Sequence, residues 1–318
     1  MTQFERARRG GDPDGLCAVP ASPELRERIA RNRELAEAAL EPYGGLPTVV
    51  VGAEPRHPGL NDGLIIPGDQ FPLGTSVERV GREAAERAPL AGTVRVIVVL
   101  VAFDDQGFDA DHDPDHFRDL FFSTGVVPTG SVREFFTEAS AGIVDMQGEV
   151  VGPYVLPLSM ATYAHGESGV GDVQPNARTM ARDALVAANA DVDFTPYDND
   201  GNGFVDAFVV VHAGGGAEQT GATDDIWSHK WVLPGGARDV DGTQAYAYLT
   251  VPEDSRIGVC AHELGHLLFG WPDLYDSDYT SEGVGNWCLM GGGSWNGAGD
   301  TPVAWSRTSL PSVTNRLR

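Results

Sequence analysis

Cys260-Ala-His-Glu-Leu-Gly-His-Leu-Leu-Phe-Gly270 contains His262-Glu263-x-x-His266, two histidines four residues apart with a glutamate beside the first. On a helix, residues i and i+4 share one face, about a turn apart. Two imidazoles so placed can grip one Zn2+. Glu263 then sits close enough to take a proton from a water on that ion. A chance match to this pattern in a chain with eight histidines is an event on the order of one in a hundred. The flanks raise its weight. Ile257, Cys260, Ala261, Leu264, Leu267 and Leu268 make one side apolar at helical spacing, which predicts a buried helix. Polar side chains on a buried helix need partners, and a metal is a good one.

A catalytic zinc needs a third protein ligand and one open position. Gly270 reads as the helix C-cap, and Pro272 blocks continuation. Asp273 follows at once and can fold back to the metal. Asp276, Asp278 and Glu282 are weaker candidates. A glutamate from a second helix about 20 residues on is the alternative plan, but position 286 is asparagine.

These residues resemble those of the bacterial immune inhibitor A-like metallopeptidases, which are metzincin-like zinc endopeptidases. The resemblance is carried by His262-Glu-Leu-Gly-His266 followed by Gly270-Trp-Pro-Asp-Leu-Tyr-Asp276. Further segments match in order. They are Val94-Arg-Val-Ile-Val-Val-Leu-Val-Ala-Phe-Asp104, Tyr197-Asp-Asn-Asp-Gly-Asn-Gly-Phe-Val-Asp206 running into Val209-Val-Val-His-Ala-Gly214, Ile226-Trp-Ser-His-Lys-Trp231, and Gly285-Asn-Trp-Cys-Leu-Met290 with Gly293-Ser-Trp295. Together they cover roughly residues 90 to 310.

The resemblance implies an α+β, zincin/metzincin-like catalytic domain. Such a domain has a mixed twisted sheet, an active-site helix and a Met-turn, here preceded by an N-terminal helical and loop extension. It implies His262, His266 and Asp273 as zinc ligands, Glu263 as general base, and Met290 in the turn beneath the metal. It also implies protein or peptide substrates, a cleavable prosegment and export. The usual pattern places the glycine three residues after the second histidine and the third ligand six after. Here Gly270 is four after and Asp273 seven after. One extra residue rotates a helix exit by about 100°, so a bulge or a wider turn has to absorb it.

The expected chemistry is peptide hydrolysis by Glu-assisted attack of a zinc-bound water. No side chain is assigned to assist the oxyanion, and Tyr275 and Tyr279 read as loop packing. A catalytically weak zincin acting as a protein-binding module is the alternative. A purely structural zinc closed by a fourth ligand, with Cys288 the residue to watch, is a third reading.

Asp198-x-Asp200-x-Asn202-Gly203 matches the first half of a Ca2+ loop, with the Phe204 carbonyl and Asp206 at the next ligand positions. The twelfth position is Val209 where a bidentate glutamate is usual, and Phe208 to Val211 read as a strand. This is an EF-like loop with a structural Ca2+, or an acidic Asx-type turn.

The chain of 318 residues, 42% hydrophobic, is long enough for a good core and one or two domains. A formal net charge of −24 argues against nucleic acid and anionic membrane as partners. No apolar run approaches the ~20 residues of a membrane span. Nothing in the sequence sets an oligomeric state. The N-terminus lacks the apolar core of a signal peptide, so a mis-assigned start, another export route and a cytoplasmic enzyme all stay open.

Cys260 and Cys288 flank the zinc motif and the Met-turn, where a bridge or two buried thiols both fit. Cys17 is the odd thiol, and one use for it is to mask the zinc in a latent form. All six tryptophans lie between Trp227 and Trp305, as cleft lining or as core and rim.

Two domains are expected, an extension or prosegment over 1–90 and a catalytic domain over 91–318 that is shorter at its C-terminus than its relatives. Residues 1–20 read as disordered, Ser22-Pro23 as cap and first turn of a helix to about Leu40, and 42–75 as loops. Val94 to Phe103 predicts a buried central strand. Asp104 to Asp119 reads as an acidic surface loop, where Pro114 argues against a helical His112/His116 pair but leaves a second cation site open. Ser131-Val-Arg-Glu134 predicts a capping box, and Val144 to Leu158 paired strands with turns at Gly148 and Gly152-Pro153. Pro175 to Ala190 and 301–309 predict helices, and His212 and His229 structural histidines. Ala213-Gly-Gly-Gly216 lacks the lysine of a phosphate loop.

Overall fold

The computed structural model describes residues 16–40, 90–271, 273–276 and 281–302. Strand β1 (Cys17–Ala18) and helix α1 (Pro23–Leu40) open the chain, followed by the long strand β2 (Gly92–Ala102). Helices α2 (Pro114–Phe122) and α3 (Val132–Ala139) lead to β3 (Val144–Val155), α4 (Met160–Ala164) and α5 (Ala177–Ala188). Then come β4 (Phe208–His212), α6 (Ala217–Thr220), β5 (His229–Val232), the small hairpin β6 (Arg238–Val240) and β7 (Thr243–Ala245), β8 (Ala247–Pro252) and α7 (Ile257–Phe269).

Six strands form one mixed sheet in the order β1-β5-β8-β4-β2-β3. Strands β3, β2, β4 and β8 run parallel, while β5 is antiparallel to β8 and β1 antiparallel to β5. The parallel body explains why β2 and β4 are unbroken β-branched runs. Both their faces are covered, and Val96 to Val101 and Phe208 to Val211 are fully or almost fully buried. Helices α2, α3 and α5 pack against β3, and α7 packs against β8 and β5. Phe136 of α3 ties the two groups together. Its ring lies 5.4 Å from Phe269 and 6.1 Å from Trp271, at the exit of α7.

The capping box at Ser131 and Glu134 forms as expected. Asn176 and Thr179 make a second box at the start of α5. Ser22 caps α1 by accepting from the Leu25 amide at 3.2 Å. Asp113 caps α2, with Pro114 in its first turn, so His112 lies outside the helix that holds His116.

Three expectations are corrected. The surface loop expected over Asp104 to Asp119 ends at Asp113, and helix α2 begins at Pro114. Val144–Val155 is one strand, not two. A Cβ on Gly148 would stand 1.9 Å from the Val96 carbonyl oxygen, and one on Gly152 2.5 Å from that of Leu100. These glycines let β3 approach β2 closely; they do not reverse the chain. The pairing steps from Val99↔Val151 to Val101↔Tyr154, so Gly152-Pro153 is a bulge in a continuing strand.

The third correction concerns the N-terminus. Residues 16–20 are ordered, and Cys17, Val19 and Ala21 are buried. Only Leu16 and Ala18 are partly exposed, and the edge of β5 supplies the backbone partners that local composition could not reveal. The readings of residues 1–15, of the loops over 42–75, of Pro272, Asp278 and Tyr279, and of the helix beyond residue 302 lie outside the described residues.

Candidate active site

All thirteen residues of α7 are buried, as the apolar flanks of its motif required. Gly258 and Gly265 make the close packing possible. A Cβ on Gly258 would meet the Ser294 carbonyl oxygen at 2.0 Å, and one on Gly265 would meet Trp271 Cε3 at 2.7 Å and Met290 Sδ at 3.1 Å. Gly270 ends the helix in the left-handed region (φ 63°). Its amide reaches the carbonyls of both Gly265 and His266, and the Trp271 amide bonds Gly265 O at 3.1 Å. A bond spanning six residues is wider than the ordinary α-helical four. Together with the left-handed Gly270 it makes an ordinary glycine C-cap, so the helix keeps its regular bonding up to the turn.

The turn delivers Asp273 to the histidines. Its Oδ1 lies 3.1 Å from Nε2 of His262 and 3.1 Å from Nε2 of His266, and the two Nε2 atoms are 3.1 Å apart. Among the described residues, the other acidic candidates are engaged elsewhere. Asp276 Oδ2 accepts from the amide and hydroxyl of Ser281, and Glu282 pairs with Arg26 at 3.0 Å.

The far side of each imidazole decides its tautomer. His262 Nδ1 faces the Leu289 carbonyl oxygen at 2.9 Å, and His266 Nδ1 faces that of Trp271 at 2.5 Å. A carbonyl oxygen only accepts, so each Nδ1 carries the proton and donates it. Each neutral ring then presents a lone pair at Nε2. Three acceptor atoms converge at 3.1 Å spacing with no donor among them, an arrangement that repels itself unless a positive charge sits at its centre. Tetrahedral zinc with bonds of about 2.0–2.1 Å spaces such ligands about 3.3 Å apart, close to the observed triangle. The residues present fit the ion.

The titration directions differ between the two rings. Burial lowers the His262 pKa. Burial also works against protonated His266, but the neighbouring Cys17 and Asp273 outweigh it and hold that ring well above its usual value. Burial would raise Asp273, yet the two histidines bring it down to about 2.

Glu263 is fully buried, and neither carboxylate oxygen has a hydrogen-bond partner. Burial pushes its pKa well above the carboxylate range, with Asp273 and Glu218 adding to the rise and His266 and the Val19 amide opposing it. A buried carboxylate without donors costs several kcal/mol, of order 2–7 even when neutral.

Met290 is buried beside Gly265, and its carbonyl accepts from the Leu274 amide at 2.7 Å, which ties the 285–290 segment to the loop carrying Asp273. Cys260 and Cys288 are buried thiols, not a disulfide. A third thiol, Cys17, falls in one cluster with His266 and Asp273, their ligand atoms all within 4.8 Å.

The aspartate-rich loop brings Asp198, Asp200 and Asp206 into a second cluster of the same tightness. Its carboxylates take backbone donors from the loop itself. Asp198 accepts from the amides of Asn202 (3.0 Å) and Gly203 (2.9 Å), and Asp206 from that of Asn199 (2.6 Å). The Asn202 side-chain oxygen caps Phe204 N at 2.9 Å.

A third cluster joins Asp109, His112 and Glu253, with His112 Nδ1 and Glu253 Oε2 3.0 Å apart. His212 and His229 are buried and bonded to the carbonyls of Ala213 and Trp227, and burial lowers each pKa to about 4.

Sequence reasoning passed over two buried carboxylates. Glu253 binds Gly214 N at 2.6 Å from the end of β8. Glu218 holds the Ser228 amide (3.0 Å) and hydroxyl (2.6 Å), and its burial raises its pKa to about 7. Neither belongs to a spaced motif.

Comparison with known proteins bears on this geometry. A family model described as immune inhibitor A peptidase M6, catalytic domain, matches residues 95–315. The chain is 31% identical over 284 residues to immune inhibitor A of Bacillus thuringiensis subsp. alesti, covering 72% of this chain and 41% of that protein. It is 32% identical over 279 residues to the pre-pro-metalloprotease PrtV of Vibrio cholerae serotype O1, covering 71% of this chain and 30% of that one. The chain thus spans less than half the length of these curated relatives.

Proposed function

The chain belongs to the immune inhibitor A peptidase M6 family, and on that premise we propose that it is a zinc-dependent endopeptidase acting on proteins or peptides. The observation that carries the reading is the triangle of acceptors at His262, His266 and Asp273 beside the unpartnered carboxylate of Glu263.

In this reading His262, His266 and Asp273 hold the ion. Zinc, when bound there, would polarise a peptide carbonyl and make a water acidic enough to attack near neutral pH. Glu263 takes the proton from the attacking water and returns it to the leaving amide nitrogen. Its raised proton affinity suits the second half of that task. The carbonyls of Leu289 and Trp271 keep the imidazoles in the ligating tautomer. Met290 forms an apolar floor, the Met-turn. Asp198, Asp200, Asn202, the Phe204 carbonyl and Asp206 would hold a structural Ca2+.

Residues 1–90 act as an extension or prosegment and 91–318 as the catalytic domain. Action on proteins outside the cell fits a peptidase whose described helices are too short or too polar to cross a membrane. Membership of a peptidase family does not favour the binding-module alternative. The test is hydrolysis of a quenched peptide by the zinc-loaded, proteolytically processed protein. Cleavage that stops with chelator and returns with zinc supports the reading, and chelator-insensitive or absent cleavage contradicts it.

A further inference from the structure

Arg95 and Glu149 rise from one face of the β2–β3 pair. Arg95 stands opposite Gln147 and Ile97 opposite Glu149, so the two charged residues are diagonal neighbours on the same side of the pleat. Opposite charges so placed would ordinarily pair. Here neither the guanidinium nor the carboxylate is bonded to a described residue. Between them opens a cleft of about 310 Å³, lined by Arg95, Gly148, Glu149, Pro196 and Tyr197.

Tyr197 is the buried member of that lining, only 4% exposed. Its hydroxyl bonds none of the described residues. Burial first, and then Glu149, pushes its pKa up to about 12, with Arg95 opposing. Both charges of the cleft therefore act on the phenol, which stays a neutral donor. A buried hydroxyl without a partner is costly, and buried polar groups are almost always satisfied. The cleft is where a partner for this one can enter.

The frame around the cleft is fixed by main-chain bonds. Thr195–Tyr197 is a single 3₁₀ turn. The Tyr197 amide donates to Phe194 O at 3.1 Å, and its carbonyl accepts from the Asp206 amide at 2.9 Å. The Asn199 side chain clamps the Arg95 main chain, its oxygen accepting from Arg95 N at 2.7 Å and its nitrogen donating to Arg95 O at 3.0 Å.

A cation and an anion held apart beside an aromatic donor are complementary to a small molecule that carries both charges. A guanidinium takes a carboxylate through two parallel bonds. A carboxylate takes an ammonium, and the phenol supplies one more donor to the ligand's carboxylate. Pro196 and the Tyr197 ring offer an apolar wall to a side chain. The volume lies at the small end of ligand sites, about 300–1,000 Å³, and suits a single residue rather than a chain.

We propose that this cleft binds a free apolar α-amino acid, its carboxylate on Arg95 and Tyr197 and its ammonium on Glu149. No lining residue belongs to the α7 site, and the inference stands or falls independently of the zinc-peptidase reading.

The test is a ligand-observed NMR titration of the full, zinc-loaded chain with leucine. Isocaproate, which lacks the ammonium, and isoamylamine, which lacks the carboxylate, are the singly charged probes. Leucine should bind saturably, and each of the other two about tenfold or more weakly, the loss expected for one charge-assisted bond. Arg95→Gln and Glu149→Gln should each weaken leucine by a similar factor with Tm unchanged, because both side chains are exposed. Tyr197→Phe should weaken it a few-fold. No binding at up to about 10 mM leucine overturns the proposal. So does equal binding of the three probes. Leucine affinity unchanged in both charge variants also overturns it, and places the amino acid elsewhere on the chain, the metal included.

Discussion

The two ends of the candidate chemistry are built on opposite plans. The α7 site is assembled from distant segments. His262 and His266 come from the helix, Asp273 from the turn beyond it, a carbonyl from Leu289 and a thiol from Cys17. Its acceptors face one another with no donor between them. The aspartate-rich loop is local. Asp198, Asp200 and Asp206 lie within nine residues of chain, and the loop's own amides donate to Asp198 and Asp206. The first arrangement needs a cation to be stable at all. The second keeps much of its hydrogen bonding whether or not a cation binds. Clustered carboxylates are thus a weaker sign of a metal than converging acceptors whose other faces are already committed.

The comparison breaks first at Asp273. Asp273→Ala should lower zinc affinity by about a hundredfold or more, at or beyond the 10–100-fold effect of removing an outer partner, while Asp276→Ala changes it little. Metal titration of the two variants reads this directly. The reverse result would move the third ligand to Asp276.

A smaller effect is expected at Glu218, whose carbonyl accepts from the Ser22 amide and whose charge acts on Glu263. Its pKa is raised from 4.5 to about 7 in the folded chain. A carboxyl raised on folding is neutral in both states below the unfolded value, and its stability contribution is lost as pH rises through the folded value. The parent should therefore lose stability between about pH 4.5 and 7 from this group. Glu218→Gln, which keeps the shape without the charge, should flatten that part of the Tm profile. An unchanged slope would show that folding does not raise the proton affinity of Glu218.

The smallest effect is expected at the aspartate-rich loop. After chelation, zinc alone should restore peptide hydrolysis but leave Tm a few degrees low, corresponding to about 1 kcal/mol, until Ca2+ is added. Full recovery of Tm with zinc alone would make the loop an Asx-type turn that needs no ion.

What the sequence revealed follows the same division. His262, Glu263 and His266 lie within five residues, so helical geometry alone brings them together. Asp273 was legible through Gly270, because a left-handed glycine forces the chain to turn where the carboxylate begins. The bulge or wider turn expected from the extra residue is not seen, because Gly270 closes the helix in an ordinary glycine C-cap. The continuous β-branched runs of β2 and β4 announced buried parallel strands.

What failed was what depends on distant partners. Gly148 and Gly152 were read as turn residues, but they are narrow because β2 lies against them. Residues 16–20 were read as disordered because their ordering comes from β5, Tyr275, Trp227 and Trp295, none of which is nearby in sequence. Cys17 was singled out as an odd thiol that can mask zinc, but nothing local says which atoms it approaches.

The most direct test of the central claim separates metal binding from proton transfer at one residue. Glu263→Gln preserves the side chain's size and removes its basicity. Measured on processed, zinc-loaded protein, it should keep one zinc per chain and lose about 10²–10⁴-fold in peptide hydrolysis, the range for removing a general acid–base group. Retained zinc with hydrolysis near that of the parent would contradict the account, because Glu263 would then not be the group that handles the proton.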